Sequence, residues 1–91
     1  MVIIDRIYIT QLRKIFPEIS DAKIEVFTLF VYGMTRKDIA NLKGVSVQAV
    51  SKALRELCDV YGVSKHDVLK TVYAIRLDLY NHLDCRVEST V

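Results

Sequence analysis

A chain of 91 residues can enclose one modest core and excludes a multidomain assembly. An apolar fraction of 52% and a mean hydropathy of +0.23 are high for so small a domain, so part of the apolar surface is expected in an interface between copies. The formal charge of +2 is a weak signal, and its distribution says more. Between Thr35 and Lys70 seven cations face four anions, and that net +3 carries the whole excess.

Residues 1–18 read as an N-terminal helical extension. Ile4, Tyr8, Leu12 and Ile15 recur at helical spacing, with Ile7 and Phe16 widening the stripe. A helix from about Asp5 to Phe16 is expected, closed by Pro17. Ser20 then caps a second helix, with Asp21 near its positive end. That helix is apolar on two sides, through Ile24, Phe27 and Val31 and through Val26, Leu29 and Phe30, so it should be packed on both.

Gly33 stops the second helix, and Thr35 with Asp38 caps a short third one to about Leu42. Gly44, four residues after the small Ala40, supplies the positive φ of a sharp turn. Ser46 caps the next helix, on which Val47, Val50, Leu54, Leu57 and Tyr61 form the apolar stripe. Two capped helices about a glycine corner make a helix-turn-helix. Gly62 ends the second of them. Ser64 and Asp67 repeat the cap and open a last helix to about Leu83, followed by a polar tail over 84–91.

The last helix also carries two apolar rows. One is Val68, Val72, Ile75, Leu79 and Leu83; the other is Leu69, Tyr73, Leu77 and Tyr80. One row serves the core. Either the N-terminal helix or a two-fold copy covers the other, and Leu69, Tyr73, Leu77 and Tyr80 are the candidate dimer interface.

The residue inventory argues against an enzyme. His66 and His82 stand 16 residues apart, and both read as surface or helix-end residues. The three glycines each stand at a helix end, and no serine has a nucleophile's context. Cys58 and Cys85 are too few for a disulfide framework or a metal site; Cys58 reads as a small core residue. No run reaches the ~18 apolar residues of a membrane span, and Asp5 and Arg6 interrupt the N-terminal apolar cluster. A cytoplasmic protein without cofactor or metal is the expectation.

Duplex DNA is the partner the charged residues fit. A helix about 10–12 Å across matches a major groove roughly 12 Å wide, and in such docking the leading turns of the second helix face the bases. Those turns carry Gln48, Ser51, Lys52 and Arg55, whose amide and cationic groups suit adenine and guanine edges. Arg36, Lys37, Lys43 and Lys65 lie at helix starts and in the turn, where phosphates would be met, and Ser46 caps the same end.

Residues 19–73 resemble, without gaps, the LuxR-type (GerE-like) helix-turn-helix of bacterial transcription regulators. Ile19, Ser20, Glu25 and Val26 resemble its L-T-x-x-E-x-E-V opening. Gly33, Thr35, Lys37, Asp38, Ile39 and Ala40 resemble G-x-S-x-K-E-I-A. Gly44, Val45, Ser46, Val50 and Leu57, then Tyr61, Gly62 and Val63, resemble the turn and the closing L-G-V. Lys43, Ala49, Ser51 and Ala53 depart from the family's usual Leu, Thr, Lys and His. The resemblance implies an all-α fold: a four-helix LuxR-type domain over 19–83 with an extra N-terminal helix. It also implies a homodimer reading an inverted repeat through Val47–Tyr61, with Lys52 and Arg55 at base-facing positions. The alternative is a helix-turn-helix-derived module that binds another regulatory protein, suggested by the low charge, the departures and the apolar excess.

Overall fold

A computed structural model describes residues 6–90, with side chains from 6 to 82. The described residues form five helices and no strand: α1 (Arg6–Ile15), α2 (Asp21–Val31), α3 (Arg36–Lys43), α4 (Val47–Tyr61) and α5 (His66–Thr90). The all-α expectation holds. No helix among the described residues is long and apolar enough to cross a membrane.

Local chemistry sets the helix boundaries. Phe16 donates its N–H to Leu12 and α1 stops ahead of Pro17, which has no N–H to continue the ladder. Ser20, Thr35 and Ser46 each adopt extended backbone and accept a hydrogen bond from the N–H three residues on, at Lys23, Asp38 and Ala49. Gly44 and Gly62 close α3 and α4 in the left-handed conformation, at φ 68° and 67°. The residue after each corner donates back into the helix, Val45 to Ala40 and Val63 to Cys58. At α5 the structure departs from expectation. The helix begins at His66 rather than directly after Ser64, and its backbone runs to Thr90 through the stretch read as a polar tail.

Packing centres on α2, which meets all four other helices. That is the consequence of its two apolar rows: Ile24, Val26, Phe27 and Leu29 are all buried. Phe16, Phe27, Tyr61 and Tyr73 come together from the end of α1, from α2, from α4 and from α5. Phe16 stacks on Tyr73 at 5.0 Å between ring centroids, and Phe27 meets Tyr73 edge-on at 5.1 Å. The Arg76 guanidinium lies over the Tyr61 ring at 5.2 Å, donates to the Ile15 carbonyl at 2.8 Å and pairs with Glu18. One side chain therefore closes the C-terminal end of α1 and covers the aromatic cluster. Cys58 is buried beside this core, and burial pushes its thiol up. Cys85 lies outside the described side chains.

Two sequence expectations are corrected here. Leu69 is fully buried and Tyr73 nearly so, with the Tyr73 hydroxyl 3.0 Å from Thr28 Oγ1. Leu77 and Tyr80, half-buried, pack against the same core. The row assigned to a dimer thus faces the chain's own interior, because α1 and α2 flank it. The outward row is the other one, with Val68, Ile75 and Leu79 exposed. Val47, expected in the buried stripe of α4, is 43% exposed.

Gly44 has nothing within 4 Å of where a Cβ would sit, so backbone strain alone opposes substitution. Gly44→Ala is expected to cost about 1–2 kcal/mol in denaturant unfolding, and Gly44→Asn distinctly less. A neutral Gly44→Ala would deny the corner its left-handed requirement.

Glu18 supplies a pH test. Burial raises its carboxyl pKa, but hydrogen bonds from Arg76, from its own backbone and from Tyr61, with the charge of Arg76, hold it below the ordinary 4.5. The folded chain then binds this proton less readily than the unfolded one. Its stabilising effect is complete above pH 4.5 and is lost as pH falls through the depressed value. Glu18→Gln should lower the urea midpoint at neutral pH, with the gap to the native protein closing under acid conditions. A gap independent of pH would assign the loss to shape rather than charge.

Candidate nucleic-acid interface

The segment read as a helix-turn-helix comprises α3, the Gly44 corner and α4. Ile39 and Ala40 are buried where the helices meet, and the 3% exposure of Ala40 shows how close the approach is. On α4, Val50, Leu54, Leu57 and Cys58 face inward. Gln48, Lys52 and Arg55 are exposed and Ser51 is half-buried, as the helical spacing requires.

Six side chains line an open depression of about 460 Å³ at the leading end of α4: Arg36, Val47, Gln48, Ser51, Arg55 and His66. Three helices contribute to it, and no acidic side chain does. Arg36 Nη2 lies 2.7 Å from His66 Nδ1. A guanidinium has no lone pair to offer, so the imidazole accepts through Nδ1 and carries its proton on Nε2. The contact holds the Arg36 head beside the start of α5, at the wall of the depression.

Residues 36, 48, 51 and 55 are thus brought together, while the remaining candidates divide. Lys37, Lys52 and Lys65 are exposed but stand outside the depression. Ser46 accepts from the Ala49 N–H, which leaves its hydroxyl proton available to donate. Lys43 does not join them. Its side chain is only 20% exposed and its Nζ lies 2.9 Å from Glu25 on α2, so its charge is paired within the chain. The reason is its place at the last residue of α3, where the chain turns back over α2.

A second ion pair alters the field of α4 itself. Lys23 on α2 holds the Glu56 carboxylate at 3.0 Å, and that hydrogen bond, with the Lys23 charge, keeps its pKa low. Glu56 is therefore turned toward α2. The depression presents two guanidinium groups, Arg55 from α4 and Arg36 from α3, with an amide and a hydroxyl, and no acid lies among them.

Two participants escape a reading of spacing alone. His66 is a helix-end residue, as expected, but its approach to Arg36 spans 30 positions and exists only in the folded chain. Val47 joins the depression because the first turn of α4 carries it out of the core. Among the described residues no group of three His, Cys, Asp or Glu side chains is placed to hold a metal ion. Compared with known proteins, the chain matches no family profile, no curated protein and no solved structure.

Proposed function

We propose that this chain is a sequence-specific DNA-binding transcription regulator of the LuxR type, inserting α4 into the major groove. The observation that carries this is the acid-free depression at the leading turns of α4, where Arg36, Gln48, Ser51 and Arg55 converge. An amide and a guanidinium about two turns apart on one helix face match the acceptor and donor pattern of purine edges. Lys52 stands on the same face one turn after Gln48, and Lys37 and Lys65 suit phosphates. The regulator acts as a homodimer on an inverted repeat, with Val68, Ile75 and Leu79 of α5 as the apolar row that a second copy covers.

A second reading is favoured by particular contacts. Lys43 and Lys23 are both taken up by carboxylates, which reduces the basic surface, while the α5 row stays exposed. A module of this shape could bind another regulatory protein through that row and have no use for DNA.

Binding across a salt series on duplexes selected from random sequence separates the two. Arg55→Ala is expected to weaken specific binding by about 1–3 kcal/mol with little loss of folding. Lys43→Ala should leave affinity within a factor of about two and lower thermal stability instead. Affinity equal across sequences, or absent at moderate salt, would overturn the DNA reading.

The dimer is tested by sedimentation equilibrium. Ile75→Asp and Leu79→Asp should each convert the native dimer to a folded monomer. A native protein that is already monomeric at high concentration would remove the two-fold arrangement.

A further inference from the structure

Val47 is the odd member of the depression. The residue is 43% exposed, and its isopropyl group lies among five side chains that all offer hydrogen bonds. By helical geometry it stands at the edge of an arc of roughly 100° that also holds Ser51, Arg55 and Gln48, so it borders the surface those three present. The floor of the DNA major groove is polar in the same way, with one apolar exception: the C5-methyl group of thymine.

We propose that Val47 is a specificity-determining residue that reads a thymine methyl group in each half-site, an inference that rests on the DNA reading above. Bringing the methyl against the isopropyl removes both from water, and the gain is non-directional, so it needs no strict hydrogen-bond geometry. Cytosine at the same place carries only hydrogen at C5, so the apolar contact is lost, and an N4 amino donor stands beside it where thymine has the O4 acceptor. Gln48, the next residue, carries the amide that pairs with adenine N6 and N7. The leading turn of α4 therefore fits a thymine neighbouring an adenine, and the guanidinium groups of Arg36 and Arg55 serve positions further along.

The test replaces each thymine of the selected half-site in turn by deoxyuridine, which removes the methyl group and nothing else. One thymine per half-site should weaken native binding about three- to fivefold when replaced. Val47→Ser should abolish that ratio. Val60→Ser, at a position of similar 45% exposure near the far end of α4, should keep it. Circular dichroism and melting follow the folding of both variants, and the deoxyuridine series on the native protein tests the methyl contact without any variant. If no replacement weakens binding, or if the loss persists in Val47→Ser, the role of Val47 is overturned while DNA binding stands. If the protein binds no duplex even at low salt, the DNA reading and this inference fall together.

Discussion

Four aromatic rings, Phe16, Phe27, Tyr61 and Tyr73, meet where the end of α1, α2, α4 and α5 converge, and the guanidinium of Arg76 lies across two of them. Each such ring pair is worth roughly 0.5–1.5 kcal/mol beyond the area it buries. Placed at a single point, they join four helices that are far apart in the chain. Tyr61 is the last residue of α4, so that helix is anchored at its C-terminal end. Its leading turns project away from the anchor, and the polar side chains there are available to a ligand because none is needed to hold the helix.

Charge then divides the labour between α2 and the helix-turn-helix. Lys23 with Glu56 and Lys43 with Glu25 tie α2 to α4 and to the end of α3. Half-exposed pairs of this kind add little to stability. Their larger effect is on the outward field: one withdraws a carboxylate from α4 and the other withdraws a cation from the turn. The basic character of the leading turns reflects which charges α2 leaves unpaired, more than the net charge of the chain.

Much of the fold is legible in the residues because its signals are local. Pro17, the caps at Ser20, Thr35 and Ser46, and the corners at Gly44 and Gly62 act within four or five positions, and each stands where its chemistry demands. The central place of α2 also follows from its two apolar rows. The choice between faces does not. Leu69 and Val68 are equally apolar, and only the packing of α1 and α2 decides which one is buried. At the site, Gln48, Ser51 and Arg55 are legible from helical spacing. Spacing sets Lys43 among the cations of the turn and gives no sign that Glu25, eighteen positions away, pairs with it. His66 and Val47 escape for the same kind of reason: their roles depend on neighbours or exposure that arise only on folding.

The side chains lining the depression at the head of α4 lie outside the buried core, which is built from other positions of the same helix. Stability and surface chemistry are therefore written on separate letters of one segment. Mutational drift at 47, 48, 51 and 55 can retune what the surface presents while the scaffold keeps its shape, so duplicated copies of such a chain could diverge in surface chemistry long before they diverge in form.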